Sequence, residues 1–195
     1  MGRPQYLWGI MVFETARLIV RIPMTKDEDV DLYFLLWNDP RVMENVGFPK
    51  GLMKRREDII TQLARTYLSE FDRTLIVIEK DNNKPVGECK LGSANEEGIA
   101  HTDVKLLPEY WGKGFGVEIK QGLVDYLFTH TSCSAIQASP KRSNIASQKM
   151  QEKVGAKRIK EGTYEFPEHM RSYTKPVELY IYRLDREDWK KVKVS

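Results

Sequence analysis

Residues 108–118 read Pro108-Glu109-Tyr110-Trp111-Gly112-Lys113-Gly114-Phe115-Gly116-Val117-Glu118, and this stretch decides the architecture. On its N-terminal side, Ile99–Leu107 reads as a strand. On its C-terminal side, 116–129 carries Ile119, Leu123, Tyr126 and Leu127 at helical spacing. Three alternate glycines between strand and helix let the backbone turn with its N–H groups converging on one concavity, at the positive end of the helix that follows. Such a concavity suits a phosphate. The standard nucleotide loops do not match it. A Walker A loop needs Gly-Lys-Ser/Thr, whereas Lys113 is followed by Gly114. The dinucleotide and kinase loops need GxGxxG, whereas the spacing here is GxGxG. A tight turn without a ligand is the plain alternative; the strand before and the helix after favour a ligand.

Downstream come a strand at Ala135–Ala138, a second helix from Asn144 to Val154 closed by Gly155, and β segments around 156–162 and 177–184. Strand, helix, strand, helix in that order implies a parallel crossover. Upstream, Thr74–Glu79, Pro85–Leu91 and Ile99–Leu107 are separated by Asp81-Asn82-Asn83-Lys84 and Asn95-Glu96-Glu97-Gly98, turn chemistry that predicts an antiparallel meander. Before these lie a strand at Arg17–Ile22, an amphipathic helix at Val30–Trp37 stopped by Asn38-Asp39-Pro40, and a loop with Gly47, Pro49 and Gly51. A helix from about Arg55 to Ser69 follows, with Ile59, Leu63 and Tyr67 on one face. The expected class is α+β (mixed α/β): a mostly antiparallel central sheet with helices on both faces. Residues 1–12 are read as an N-terminal extension, a candidate for removal with Met11 as an alternative start, and 13–190 as a single domain.

Of the 195 residues, 41% are hydrophobic and 30% charged, enough apolar material for a sizeable core. Lys plus Arg number 31 against 28 Asp plus Glu; this near balance excludes a disordered polyelectrolyte and gives no basic footprint for nucleic acid. Cys89 and Cys133 form no CxxC pair, and no two histidines are close, so neither a disulfide framework nor a metal site is expected. No apolar run approaches the roughly 20 residues that span a bilayer. The first residues carry neither a secretion signal nor a myristoylation pattern. A cytoplasmic protein with no membrane or nucleic-acid partner is expected.

The glycine loop resembles the acyl-CoA loop of the GNAT family of N-acetyltransferases, Arg/Gln-x-x-Gly-x-Gly/Ala, with Trp111 in place of the leading Arg/Gln. The nearest look-alikes are branches acting on ribosomal-protein N-termini and on aminoglycosides. The stretch from Asn144 to Ala156 is similar to the family's Asn-x-x-Ser/Ala helix ending in Glu-Lys-x-Gly-Phe, with Ala156 replacing the aromatic. Phe13-Glu14-Thr15-Ala16-Arg17-Leu18 is similar to its first strand. Together these cover about residues 13–185. The resemblance implies acetyl-CoA as co-substrate, without a metal, in a V between two splayed parallel strands, Ile99–Leu107 and Ala135–Ala138. The pantetheine arm would pair with backbone near Leu106 and Leu107. The pyrophosphate would rest beside Trp111 on the amides of Gly112, Lys113, Gly114, Phe115, Gly116 and Val117, with Asn144 and Ser147 completing the cofactor site. Relatives are monomers or homodimers.

Acetyl transfer to an amine needs a neutral nucleophile, a stabiliser for the oxyanion and a proton source for the departing thiolate. Strand alternation puts His101, Asp103 and Lys105 on one face. Asp103 and His101 are candidate bases, and Glu88 on the neighbouring strand is the third. Solvated or paired charges on an exposed sheet face are the plain alternative. Many relatives place a tyrosine acid in the second helix; the position here is Gln151, which has no titratable proton. Ser147 is the hydroxyl that the N-terminal-acetylating branch has there, or an ordinary helix serine bonded one turn back. The oxyanion donor expected is a backbone N–H near Leu106. His130 reads as a helix C-terminal cation, Cys133 as core, and Lys50, Lys54, Arg55 and Arg56 as a solvated run. The reading is acetyl transfer from acetyl-CoA to a primary amine by direct attack in a ternary complex. The acceptor is a protein or peptide N-terminus or a small amine. The alternative is a non-catalytic acyl-CoA-binding sensor or regulatory module.

Overall fold

The structure is a computed structural model that describes residues 5–6, 9–65 and 69–194. Its strands are β1 (Gln5–Tyr6), β2 (Gly9–Glu14), β3 (Leu18–Arg21), β4 (Arg73–Glu79), β5 (Pro85–Ala94), β6 (Ile99–Leu106), β7 (Ala135–Ala138), β8 (Lys157–Tyr164) and β9 (Val177–Asp185). Its helices are α1 (Asp27–Asn38), α2 (Pro40–Met43), α3 (Arg56–Leu63), α4 (Phe115–His130), α5 (Ile145–Lys153) and α6 (Arg186–Val194). The described strands join in one sheet in the order β1-β2-β3-β4-β5-β6-β7-β9-β8, antiparallel throughout except for β6 beside β7.

The turns do what their residues predict. Between β4 and β5, Asn83 takes a left-handed φ of 57° and the Asn82 side chain accepts from the Lys84 N–H. Between β5 and β6, Asn95 Oδ1 accepts from the N–H groups of Glu97 and Ile99. α1 stops before Pro40, and Asp39 caps α2 by accepting from the Arg41 N–H.

β4 shows how the core is layered. Leu75 and Val77 enter the cluster under α4, while Ile76 and Ile78 enter the one under α1 and α3. The sheet therefore lies between α4 and α6 on one side and α1 to α3 on the other. β3 is fixed to α1 by a buried ion pair, Arg21 Nη2 to Asp29 Oδ1 at 2.5 Å.

Three segments differ from the sequence expectations. β2 begins at Gly9, inside the supposed extension, and the Phe13 ring packs against Gly122 of α4 so closely that a Cβ there would sit 2.4 Å from it. α3 is shorter than its pattern suggested and ends at Leu63; Tyr67 lies outside the described residues. α6 was not foreseen, because its surface is almost wholly charged; its one large anchor, Trp189, packs 5.2 Å from Phe128 and donates to Asp125.

The parallel pair positions the site. β6 and β7 are in register only from Ile99 beside Ala135 to His101 beside Gln137. β7 ends at Ala138 and turns away with β9, while β6 runs on to Leu106. From Thr102 onward β6 has lost that neighbour, and a wedge opens in the middle of the sheet.

Candidate active site

The wedge widens into a cleft of about 710 Å³, walled by β6, the glycine loop, the start of α4 and the face of α5. Gly112 and Gly114 have φ of +75° and +81°, the left-handed region where a side chain is strained. A Cβ on Gly112 would meet nothing within 4 Å. Gly114 precedes α4 and no side chain caps that helix, so its first amides are left to face the cleft. At Gly116 the two helices close in, a Cβ lying 3.2 Å from Met150 Sδ of α5.

The loop is held from behind by the β2–β3 turn. Glu118 accepts from Thr15 Oγ1 at 2.5 Å and from the Arg17 N–H at 2.8 Å, and Arg17 Nη1 donates to the Lys113 carbonyl at 3.1 Å. Burial opposes the Glu118 charge, but these bonds outweigh it and hold the carboxyl below its ordinary range. The first-strand and loop motifs are thus two ends of one cluster.

β6 presents its open edge to the cleft. The Leu107 N–H donates to Val86 on the β5 side at 3.0 Å, so alternation turns Val104 and Leu106 the other way. The Val104 N–H donates to Asp103 Oδ1, and the Leu106 carbonyl accepts from Trp111 Nε1, both at 2.9 Å.

On the α1 face of β6, Lys105 bonds Asp103 Oδ2 and sits 3.1 Å from Glu88 Oε1; Glu88 Oε2 accepts from Trp37 Nε1. Burial disfavours the Lys105 charge, yet the two carboxylates outweigh it and raise its pKa. Burial would raise Asp103, and the Lys105 ammonium reverses that and lowers it. His101 is exposed; partial burial, then Lys90 and Lys120, lower its pKa, so its imidazole is neutral at pH 7.

The opposite face carries what sequence reasoning missed. Lys120 of α4 is 2% exposed, bonds Thr102 Oγ1, and burial, opposed by Asp103, pulls its pKa down to about 7. Gln151 of α5 is 3% exposed and its Oε1 has no hydrogen-bond partner. A buried acceptor left unpaired on a cleft wall calls for a donor from a ligand. Lys120 was legible in principle, as a charge on the same helical stripe as Leu123, Val124 and Leu127.

Of the residues singled out from sequence, His101, Asp103, Leu106 and Ser147 line the cleft. So do Trp111, Gly112, Gly114, Phe115, Gly116, Val117 and Asn144. Glu88 is buried behind Lys105, and Leu107 faces β5. Lys113 lies off the wall, its Nζ 4.7 Å over the Tyr110 ring. Asn144 Oδ1 accepts from the Ser147 N–H at 3.0 Å as the cap of α5. Among the described residues no group of three His, Cys, Asp or Glu could hold a metal ion, and no helix is long and apolar enough to cross a membrane.

A loop of amides at a helix start, a wedge between parallel strands and a lysine-rich cleft make a site whose charge and shape suit an anionic, extended ligand beside a charged sheet face. Residues 17–157 match the family model described as "Acetyltransferase (GNAT) domain", and the chain belongs to that family. It is 29% identical over 138 residues to the uncharacterized N-acetyltransferase p20 of Bacillus licheniformis, spanning 70% of this chain and 76% of that protein. Its fold matches a GNAT-family acetyltransferase from Bacillus anthracis with TM-score 0.73 and 21% identity, covering 91% of this chain and 99% of the other. It also matches Vibrio cholerae spermidine N-acetyltransferase in complex with CoA and spermine, with TM-score 0.73 and 16% identity, covering 90% and 99%. Other structures of this fold are named as ribosomal-protein and aminoglycoside acetyltransferases.

Proposed function

We propose that the protein transfers an acetyl group from acetyl-CoA to a primary amine by direct attack within a ternary complex. The observation that carries this reading is the junction at β6. There, uncapped amides of α4 and the unpaired Gln151 Oε1 on one side meet the His101–Asp103–Lys105 face on the other. Acetyl-CoA, when bound, supplies an acetyl group activated as a thioester.

The amides from Gly112 to Val117 hold the diphosphate, and the left-handed glycines keep that surface open. Lys141, Lys149 and Lys153 on the cleft wall add positive potential for the remaining phosphate charge. The Val104 carbonyl and the Leu106 backbone offer strand-like pairing to the pantetheine amides, and Gln151 Oε1 accepts an N–H. The acceptor amine approaches from the α1–α2 side, where Val42, Asn45 and Val46 line the cleft. His101 suits the proton acceptor's part best. Asp103 has both oxygens engaged, by Val104 N–H and Lys105, whereas the His101 imidazole is neutral and exposed. An acceptor that is a peptide N-terminus or a small amine fits this arrangement. Both bring a nitrogen whose charged form, with pKa of about 8 to 10, must lose a proton before attack.

The test is thiol release from acetyl-CoA against a panel of peptides with free N-termini, polyamines and aminoglycosides. Turnover with one class supports the reading and names the acceptor. Thermal stabilisation by acetyl-CoA with no turnover on any amine would instead support the binding module.

A further inference from the structure

We propose that Lys120 is the proton donor to the coenzyme A thiolate as it leaves, a role that rests on the acetyl-transfer reading above. Lys120 lies one helical turn beyond Gly116, so both project from the same side of α4 into the cleft, the lysine about 6 Å further along the axis from the phosphate-binding end. Its ammonium is anchored by Thr102 Oγ1. Thr102 alternates with His101 and Asp103 along β6, so the strand itself separates two proton-handling faces. The amine's proton leaves on the His101 side; the sulfur, arriving with the extended arm from the α4 amides, meets the Lys120 side. Gln151, on the facing wall of α5, has no titratable proton to give, and the buried Lys120 Nζ does.

In the step, the acceptor nitrogen's lone pair forms the C–N bond to the acetyl carbon. The C–S bond breaks with its electron pair going to sulfur, and a proton moves from Lys120 Nζ to that sulfur, giving the free thiol. The proton lost by the nitrogen passes to His101 and then to water, and Lys120 regains one from water. With its pKa pulled to about 7, Lys120 gives up its proton readily to a thiolate, whose acid has an ordinary pKa of about 8.5. The titratable groups that share the cleft with it are His101, Asp103 and Lys105 of β6, Lys90 of β5, Lys141 ahead of α5, and Lys149 and Lys153 of α5. β2 and the turn after it meet α4 elsewhere, through Phe13 and Thr15 at Gly122.

The experiment titrates coenzyme A bound to the full chain by the ultraviolet absorbance of its thiolate, with calorimetry to confirm occupancy. Bound to the wild type, the thiol is expected to ionise about one pH unit or more below free coenzyme A, because a thiolate forming beside Lys120 restores the charge on the lysine and the two groups hold one proton between them. Lys120→Met abolishes that shift and Lys120→Arg retains it. In turnover, Lys120→Met lowers kcat about a hundredfold while KM for acetyl-CoA stays within about threefold, the signature of lost general acid catalysis. A wild-type bound thiol that ionises like the free one overturns the proposal, with no variant needed. So does the same ionisation in wild type and folded Lys120→Met. Failure of wild-type protein to bind coenzyme A at all overturns the acetyl-transfer reading and this proposal with it; binding without the thiol shift overturns this proposal alone.

Discussion

The indole N–H of Trp111 donates to the Leu106 carbonyl at 2.9 Å, tying the glycine loop to the last cleft-facing residue of β6. The carbonyl oxygen has a second lone pair, so it can hold the indole and still accept from a ligand. The bond therefore shapes the loop in advance of binding. Trp111→Phe removes the donor and keeps an aromatic ring. One hydrogen bond is worth ~1 kcal/mol, so coenzyme A affinity is expected to fall about fivefold by calorimetry. Unchanged affinity would mean the loop needs no such tether.

Gly114→Glu is expected to abolish coenzyme A binding. The substitution forces a side chain onto a φ of +81°, and its carboxylate would stand at the amides that attract phosphate. Thermal unfolding near the wild-type midpoint would show that the chain still folds. Retained affinity in that folded variant would dismiss the loop as the phosphate site.

How far the sequence carried can be judged at single residues. The turns at Asn82-Asn83 and Asn95 and the stop at Pro40 were legible because each rests on local backbone chemistry. The loop's context was legible because a strand-to-helix change of period flanks it. What escaped depends on contacts distant in sequence. α6 has a charged surface and is held by Trp189 against Phe128, and β2 is held by Phe13 seated on Gly122. In the site, Asp103 stood as a candidate base or a paired charge, and the contacts that engage its two oxygens, Lys105 and the Val104 N–H, depend on side-chain placement that alternation alone does not give. Lys120 drew no notice in the sequence, because its partner Thr102 lies 18 residues away on another element.

That occupancy predicts an order of mutational effects. His101→Gln is expected to lower kcat about a hundredfold, the usual scale of a lost general base, with acetyl-CoA KM little changed. Asp103→Asn keeps the oxygen that accepts from Val104 and is expected to cost less. The acid limb of the wild-type pH–rate profile falls below pH 6.5, because burial and the neighbouring lysines lower the imidazole pKa. Lys90→Met removes one of those charges and moves the limb upward. A larger loss in Asp103→Asn than in His101→Gln would return the base role to the carboxylate.

Arg21 and Asp29 form a bidentate pair, with Nη1 to Oδ2 at 2.6 Å and Nη2 to Oδ1 at 2.5 Å, and Asp29 also accepts from the Met24 N–H at 2.7 Å. Both side chains are buried, so Asp29→Ala strands a guanidinium in the interior and is expected to cost ~3–5 kcal/mol in denaturant unfolding. Replacing both partners with apolar residues of similar volume is expected to recover most of that loss. A single variant within ~1 kcal/mol of wild type would show that water reaches the stranded arginine.

Lys120 should make stability rise with pH, as acid-labile carboxylates do, but in an alkaline window rather than an acidic one. Below about pH 7 the lysine is charged in both states, and folding buries that charge. Between about 7 and the ordinary lysine value of about 10.4, the unfolded chain holds the proton and the folded chain does not, so wild-type stability rises with pH across that window. Lys120→Met has no such proton to lose. Its melting temperature is therefore expected to exceed the wild type's by more at pH 6 than at pH 9, measured without ligand. An equal difference at both values would place the lysine's ionisation outside that range and its ammonium in contact with water.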